Sequence, residues 1–235
     1  FSTMEQNPKN SHPALLTIIC PMKNEEKNLA AFFARLVPVL ESVADAYEIL
    51  CINDGSQDNT LAYLLKEKEI NPNIKIADLS RNFGKEAALT CGIELAKGDV
   101  VIPIDADLQH PPETIIEMIN CWQKGYEVVL ARRQNRKSEG WIRRRTAGWF
   151  YKLQNKISEV HIPADVGDFR LMDRKVIEAL KKLPERRRFM KGLFAWVGFR
   201  QTTITFICEP RFAGASNFSG WKPCPLALAG ITSFS

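Results

Sequence analysis

Apolar and polar positions alternate in blocks along this chain, and the blocks switch regularly between two periods. An uninterrupted apolar run at 15–22 is followed by apolar residues at helical spacing from Leu29 to Leu40. Such runs are typical of strands buried on both faces, and spacings of three and four are typical of helices packed on one side. The pattern repeats, with strands predicted at 47–54, 74–80, 99–107 and 126–133 and helices at 59–70, 85–98 and 111–125. This order predicts an α/β fold, a mostly parallel sheet with helices on both faces.

The pattern changes after residue 133. Residues 141–158 mix tryptophan, phenylalanine and isoleucine with arginine and lysine, which predicts an amphipathic helix. That helix either packs on the domain through its apolar stripe or lies at a membrane interface. A strand and a helix within 166–184 and a last strand at 201–211 follow.

Polar residues follow the ends of the first four predicted strands. Because the carboxyl ends of parallel strands meet at one edge of the sheet, where ligands of such folds bind, we expect these side chains to lie close together. They are Lys23 to Glu26, Asn53, Asp54, Arg81, Asn82, Asp105 and Asp107. The chain has neither a G-x-G-x-x-G fingerprint nor a P-loop, so a different arrangement must organise this edge.

Asp105 and Asp107 end the fourth predicted strand, one residue apart. Extended backbone would present both carboxylates on one face, where a hard cation such as Mg²⁺ or Mn²⁺ would relieve their repulsion. The alternative is a turn or a helix cap, because prolines and an acid follow Asp107 at 111–113. That alternative does not account for Asp105. Pro103 predicts a local irregularity, since it cannot donate to the sheet.

Composition narrows the classes of protein. The formal charge is +5, but basic residues cluster at 132–156, with Glu139 the single acid there, and again at 181–191. Such clusters suit a diphosphate, an anionic membrane surface or nucleic acid, and about half of them would be solvated helix faces. The 6 cysteines are widely spaced and the 3 histidines are scattered, which predicts reduced thiols in a cytosolic setting and neither a disulfide scaffold nor a zinc site.

The chain begins at Phe1, without a recognisable signal peptide, and ends within an apolar segment at 226–235. No apolar run in it reaches the length of a membrane span. We expect it to be a fragment of a longer protein.

A set of motifs in register resembles a known family. They are P-x-x-N-E-E from Pro21, I-N-D-G-S-x-D from Ile52, R-N-F-G-K-E from Arg81, D-A-D-L-Q from Asp105, V-G-D-F-R-L from Val166 and A-G-I-T-S-F-S from Ala229. From about residue 15 to the end the chain resembles the inverting family 2 glycosyltransferases that charge a polyprenyl phosphate. The bactoprenol (undecaprenyl-phosphate) glucosyltransferases are the nearer match and dolichol-phosphate mannose synthase is a more distant one. The resemblance implies a GT-A-type, Rossmann-like fold.

The resemblance also implies roles for individual residues. Pro21, Asn24 and Glu25 would line the base and ribose of a nucleotide beside Asp54, and Arg81, Asp105 and Ala106 would complete the donor site. Asp107 and Gln109 would hold Mg²⁺ or Mn²⁺ against the diphosphate. Arg133 and Arg211 would contact phosphate, and Asp168 would be the catalytic carboxylate, so that Asp107, Arg133 and Asp168 carry the chemistry.

Asp168 and Asn217 each have an alternative interpretation. A phosphate monoester is already ionised near neutral pH, so Asp168 would orient the acceptor or a cation more than abstract a proton; as an alternative it is a turn residue after Gly167. At Asn217 the family commonly has a lysine that touches phosphate, and asparagine cannot supply that charge. Lys222 or an arginine of 186–188 would substitute for it, or activity is weakened.

The resemblance then implies a division of the chain and a reaction. Residues 1–14 form a tail and residues 15–214 a catalytic domain, with a nucleotide-sugar half at 15–133 and an acceptor half at 134–214. Residues 215–235 form a membrane-proximal segment before expected membrane helices. The implied reaction is inverting transfer of glucose from UDP-glucose to undecaprenyl phosphate, on the cytoplasmic face of the inner membrane, for O-antigen or other cell-surface glycosylation.

Other sugar donors and other classes of protein are also compatible with the sequence. Within the class, the donor could instead be GDP-mannose or a UDP-aminoarabinose derivative. Outside it, a nucleotidyltransferase also uses paired carboxylates but releases pyrophosphate. A basic nucleic-acid-binding module would explain the arginines but not the acids at successive strand ends, so no nucleic-acid partner is expected. A homo-oligomer is compatible with the sequence.

Overall fold

A computed structural model describes residues 12–134, 166–182 and 199–212. The strands are β1 (Leu16–Met22), β2 (Tyr47–Asn53), β3 (Ile74–Asp78), β4 (Val100–Pro103), β5 (Val128–Arg133), β6 (Val166–Asp173) and β7 (Gln201–Phe206). The helices are α1 (Glu26–Val43), α2 (Thr60–Ile70), α3 (Lys85–Leu95), α4 (Thr114–Gln123) and α5 (Arg174–Lys181). Each predicted strand and helix that falls in the described residues is present, which confirms the α/β class.

The strands form one 7-stranded sheet in the order β3-β2-β1-β4-β6-β5-β7. β1 pairs in parallel with β2 and β4, β2 with β3, and β5 with β7. β6 is antiparallel to both β4 and β5. Because β6 runs the opposite way, its first residues lie at the edge where β4 and β5 end, and Val166 pairs with Arg132. The antiparallel strand thus brings Asp168 to the edge that carries the other acids.

Helices cover both faces of the sheet, as predicted. Helices α1, α2 and α4 pack on one face, where Phe32, Leu64 and Ile115 are fully buried. Helices α3 and α5 pack on the other face through residues such as Leu89 and Ile177. Successive residues of β1 point to opposite faces, as extended backbone requires. β1 therefore contributes to both cores, and all of its residues except the partly buried Pro21 are buried.

The prediction that β4 extends to Asp107 is wrong. The strand ends at Pro103; the amide of Ile104 still donates to the carbonyl oxygen of Ile19, at 2.9 Å, and the chain then turns. Proline removes a donor from the sheet, and Leu108 has a left-handed φ of 61°, so extended backbone stops before the acids. The two carboxylates consequently lie in a turn and not on one strand face.

The helix-cap alternative for Asp107 is also excluded. Helix α4 begins at Thr114, later than the predicted residue 111, and its N-cap is Glu113. Helix α2 has Asn59 as its N-cap, and just before it Oδ1 of Asp58 accepts a hydrogen bond from the amide of Thr60 at 3.0 Å.

Several predictions lie outside the described residues: the amphipathic helix at 141–158, the segment at 215–235 and Asn217. Within the residues that the structure does describe, none of the helices combines the length and the apolar character that crossing a membrane requires.

Candidate functional site

The loop after β2 joins the segment before α3 through the Asp54 carboxylate. Its Oδ1 accepts a hydrogen bond from the amide of Phe83 at 2.7 Å and its Oδ2 one from the amide of Gly84 at 2.9 Å. Gly55 makes this approach possible: its φ is +63°, and a Cβ there would lie 2.6 Å from the amide nitrogen of Asn82. Both carboxylate oxygens of Asp54 therefore accept hydrogen bonds from backbone amides, and these bonds fix where helix α3 starts.

The loop after β1 is held against the loop after β2. Asn24 has a φ of 57°, and its Oδ1 accepts a hydrogen bond from the amide of Gln57 at 2.7 Å. The amide of Glu25 donates to Oγ1 of Thr60 at 2.9 Å. Burial raises the pKa of Glu25, a hydrogen bond from Asn28 opposes the rise, and the nearby Asp107 adds to it. The predicted nucleotide-site residues of these two loops thus form one connected structure.

Asp105 and Asp168 are bridged by a single lysine. The Lys85 Nζ lies 2.7 Å from Oδ1 and 2.8 Å from Oδ2 of Asp105, and 3.0 Å from Oδ2 of Asp168. Burial alone would lower the pKa of Lys85, but the two carboxylates outweigh burial and raise it above its ordinary value. This ammonium therefore stays charged across the physiological range and joins the end of β4 to the start of β6.

A small cleft opens at this cluster. It is lined by Pro21, Lys85, Leu89, Pro103, Ile104, Asp105, His110, Asp168 and Phe169. The His110 ring packs on Phe169, with ring centroids 5.0 Å apart, and its Nδ1 lies 4.0 Å from Oδ2 of Asp105. Burial lowers the pKa of His110, an effect that Asp105 opposes and Lys85 reinforces. The cleft brings carboxylates, an ammonium and an imidazole together beside apolar walls, the mixture of polar and apolar groups that ligand sites commonly have.

Asp107 faces a different partner. Its Oδ2 lies 2.9 Å from Nη2 of Arg211, and its Oδ1 accepts a hydrogen bond from the amide of Gln109 at 3.0 Å. The segment that carries Arg211 is tied down by backbone: the amide of Phe212 donates to the Asp107 carbonyl oxygen and that of Glu209 to the Gln109 carbonyl oxygen, each at 3.3 Å. The two acids of the Asp-x-Asp motif have therefore separated into two neighbouring clusters.

A second arginine braces the segment that carries Arg211. Arg35 on α1 donates to both carboxylate oxygens of Glu209, at 2.8 and 3.1 Å, and to both oxygens of Glu113, at 3.1 and 2.7 Å. Such bidentate pairs fix orientation as well as charge. Arg35 thus joins α1, the start of α4 and the Arg211 segment.

The oxygen ligands at Asp107 would hold a metal ion only together with oxygens of a bound substrate. Among residues 12–134, 166–182 and 199–212, no three histidine, cysteine, aspartate or glutamate side chains come together as a metal site. Mg²⁺ is commonly held by one or two carboxylates, with water and substrate phosphates completing its shell. Asp107, with Gln109 beside it, matches that pattern and does not match a preformed cage.

The other predicted site residues lie at the same edge in different settings. Ala106 is buried in the core, so only its backbone can meet a ligand. Arg81 is exposed, with its guanidinium 4.9 Å from the centroid of the Phe83 ring. Arg133 is exposed at the end of β5. Gln109 is partly buried.

Three residues of the site were missed by the sequence interpretation as functional candidates. Lys85 belongs to the R-N-F-G-K-E motif but was given no function. Its position at the first residue of a helix, at the ligand-binding edge, was the signal that could have identified it. His110 was treated as an isolated histidine. Arg170 is buried, and burial lowers its pKa to about 10, while the charges of Asp168 and Glu86 oppose the fall. Its Nη2 donates to the carbonyl oxygen of Gly167 at 2.6 Å.

Comparison with known proteins decides the family. The sequence model for glycosyl transferase family 2 matches residues 17–181, the part of the chain that holds every strand from β1 to β6 and helix α5. The chain belongs to glycosyl transferase family 2. The predicted enzyme class, a glycosyltransferase, is confirmed.

Individual relatives of this family 2 chain are similar over most of its length. An uncharacterized glycosyltransferase of Synechocystis sp. is 55% identical over 94% of this chain and 69% of its own length. The bactoprenol glucosyl transferase of Shigella phage SfV is 46% identical over 94% of this chain and 72% of its own. A prophage bactoprenol glucosyl transferase homolog of Escherichia coli is 44% identical with the same coverage.

Solved structures confirm the GT-A-type fold. A mannosyltransferase from Pyrobaculum calidifontis, in complex with GDP-Man and Mn²⁺, superposes with a TM-score of 0.60 at 16% identity, over 90% of this chain and 60% of that one. Glucosyl-3-phosphoglycerate synthase from Mycobacterium tuberculosis, in complex with Mn²⁺, UDP-glucose and phosphoglyceric acid, gives 0.60 at 15% identity, over 94% and 79%. At these identities the likeness concerns the fold of this family 2 glycosyltransferase alone.

Proposed function

We propose that this chain transfers a hexose, with inversion, from a nucleotide sugar to a polyprenyl phosphate, and that the pair is UDP-glucose and undecaprenyl phosphate. The observation that carries the proposal is the meeting of Asp105, Asp107 and Asp168 at one edge of a sheet in a chain 46% identical to a bactoprenol glucosyl transferase. In this proposal Asp105 and Asp107 face the nucleotide sugar, and Asp168 faces the polyprenyl phosphate.

The donor side is formed by the connected loops after β1, β2 and β3. Asn24, Glu25 and Asp54 hold these loops together, and Pro21 continues their surface into the cleft. A nucleotide lying on this surface would direct its sugar toward Asp105. Arg211, which pairs with Asp107, and Arg133, at the end of β5, would neutralise the diphosphate.

A divalent ion is part of this proposal. Asp107 and Gln109 would hold Mg²⁺ or Mn²⁺, which as a Lewis acid stabilises the charge that develops on the leaving diphosphate. The complexes of two structural neighbours with Mn²⁺ support a divalent ion as the cofactor.

The proposed transfer is a single displacement. An ionised oxygen of the acceptor phosphate attacks the anomeric carbon, a new carbon–oxygen bond forms on the opposite face, and the diphosphate departs with the electron pair of the broken bond. The acceptor carries no proton that must be removed, so Asp168 serves to orient it or a cation beside it. Because Lys85 pairs with both Asp105 and Asp168, the two carboxylates lie close together despite their like charge.

The acceptor fixes the expected location. A polyprenyl phosphate stays in the bilayer, so the cleft must work at a membrane surface, and we assign it to the cytoplasmic face of the inner membrane. The basic clusters at 132–156 and 181–191 support attraction to anionic lipid. Membrane anchoring through segments beyond residue 235, and a role in O-antigen or other cell-surface glycosylation, belong to the same proposal.

The test is a transfer assay in detergent micelles or vesicles. Undecaprenyl phosphate and Mn²⁺ are supplied with UDP-glucose, GDP-mannose or a UDP-aminoarabinose derivative in parallel, and released nucleotide and glycolipid are measured. We expect UDP and a glucosylated lipid in equal amounts, β-configured at the anomeric carbon, and loss of both with EDTA. Release of pyrophosphate would indicate a nucleotidyltransferase instead.

A matched pair of variants localises the activity. Asp168→Asn should lower turnover by about 10²-fold, the loss expected when a reacting group is no longer held in its attacking position. Asp45→Asn, at an exposed position in the loop before β2, should leave turnover unchanged. Near-normal turnover of Asp168→Asn would remove Asp168 from the mechanism.

A further inference from the structure

Lys85 occupies its position because three features of the fold converge on it. Asp54 accepts hydrogen bonds from the amides of Phe83 and Gly84, and Gly84 has a left-handed φ of +94°. Helix α3 begins at the next residue. The lysine is therefore delivered to the edge of the sheet by backbone contacts that do not involve its own side chain.

The Lys85 ammonium then contacts carboxylates from two different strands. Asp105 follows β4, whereas Asp168 lies in β6, and the lysine nitrogen is within 3.0 Å of both. The three side chains are 34%, 29% and 21% exposed, so water screens them only in part. Two carboxylates that share one ammonium are held at a fixed separation, and without the ammonium their repulsion would drive them apart.

We propose that Lys85 is a positioning residue that sets the distance between the donor-side carboxylate Asp105 and the acceptor-side carboxylate Asp168. The inference rests on the proposed function and goes beyond it, because it makes the alignment of the two substrates depend on a residue that need touch neither. Misalignment of reacting groups by about 1 Å can lower turnover by about 10²-fold.

Removing the Lys85 charge should lower kcat without weakening the binding of UDP-glucose. Lys85→Met keeps an unbranched side chain of similar length and removes the charge. We expect kcat to fall by about 100-fold, as a lost alignment predicts, while the dissociation constant for UDP-glucose changes by less than about threefold. A variant that instead weakens UDP-glucose binding by tenfold or more and leaves kcat unchanged would overturn the proposal, because Lys85 would then be a donor-binding residue.

A double-mutant cycle tests whether Lys85 acts through Asp168. If it does, Lys85→Met combined with Asp168→Asn should be no more than about threefold slower than Asp168→Asn alone, since the group being positioned is already lost. If the two effects multiply in full, Lys85 acts independently of Asp168 and the proposal is wrong.

A control lysine excludes a general effect of removing a charge. Lys175 lies in the first turn of helix α5, 73% exposed and 4.0 Å from Glu127. Lys175→Met should leave kcat and UDP-glucose binding unchanged. A 100-fold loss in Lys175→Met as well would mean that the loss in Lys85→Met is not specific to its position, which overturns the proposal.

The activity of the wild-type protein distinguishes a failure of the proposed function from a failure of the positioning role of Lys85. If it transfers no hexose to polyprenyl phosphate, the proposed function fails. If it does transfer hexose and Lys85→Met is equally active at the same melting temperature, the proposed function stands and the positioning role alone is wrong.

Discussion

Arg211 Nη2 lies 2.9 Å from Oδ2 of Asp107, a side chain that is 7% exposed. The pair joins two segments separated by about a hundred residues, and the Arg211 segment also bonds to the Asp107 backbone. Under the proposed function, Arg211 would exchange Asp107 for phosphate when a nucleotide binds.

Replacing Arg211 should weaken nucleotide binding. In Arg211→Met the dissociation constant for UDP, measured by calorimetry with Mn²⁺ present, should rise about tenfold, which corresponds to one charged hydrogen bond of about 1.5 kcal/mol. Arg211→Lys should lie between wild type and Arg211→Met, because it keeps the charge without the bidentate geometry. An unchanged dissociation constant in Arg211→Met would exclude the phosphate-binding role.

Gly55→Ala should destabilise the fold at the nucleotide edge. Its Cβ would approach backbone atoms of Asn82 and Arg81 at 2.6 and 2.7 Å, which neither segment can relieve without moving. We expect the free energy of unfolding in urea to fall by about 2–4 kcal/mol.

Gly125→Ala is the matched control. Gly125 also has a positive φ, of +89°, but a Cβ there would meet only the end of the Arg200 side chain at 3.4 Å. Its cost should be limited to backbone strain, about 1 kcal/mol. Equal losses for the two variants would show that the close approach at Gly55 contributes nothing.

Glu48 should make stability depend on pH. Burial alone would raise its pKa, but hydrogen bonds from Lys75, Thr17 and the amide of Lys97 outweigh burial and lower it below its ordinary 4.5. The folded state therefore binds the proton less readily than the unfolded state, so this stabilisation is present above pH 4.5 and is lost as the pH falls through the lower folded pKa.

Glu48→Gln isolates this contribution. The variant should be less stable by about 1–3 kcal/mol near pH 7, because it loses charge-assisted hydrogen bonds in a buried place. Urea unfolding at a series of pH values should show a weaker decline below pH 4.5 in the variant than in wild type. Parallel curves would contradict this assignment.

Asn217→Lys should lower the Michaelis constant for the nucleotide sugar. The position matches a lysine that the resemblance places on phosphate, and asparagine cannot supply its charge. Steady-state kinetics of both proteins would measure the change. A Michaelis constant equal to that of wild type would show that the position no longer contributes.

The sequence predicted the parts of this fold that depend on local pattern. Apolar runs and helical spacing located β1 to β5 and the helices between them. The signal is strongest for β1, β2 and β4, because strands covered on both faces must be mostly apolar. The parallel order then placed Asn24, Asp54 and Asp105 at one edge. Both steps follow from short stretches of sequence.

What the sequence could not supply comes from contacts between distant segments. Nothing local indicates that β6 inserts antiparallel between β4 and β5, yet this insertion brings Asp168 to Lys85. The pairing of Asp107 with Arg211 likewise depends on how the segment after β7 crosses the turn. The prediction that extended backbone continues through Asp105 and Asp107 was wrong because Pro103 ends strand β4 before them.

The most direct test follows labelled sugar into lipid. Wild type and Asp168→Asn are incubated with UDP-glucose labelled in the sugar, undecaprenyl phosphate and Mn²⁺, and label in the lipid fraction is counted against time. The account predicts label in the lipid with wild type and a rate lower by about 10²-fold with Asp168→Asn. No lipid label with wild type from UDP-glucose or the alternative nucleotide sugars, or equal rates for the two proteins, would contradict it.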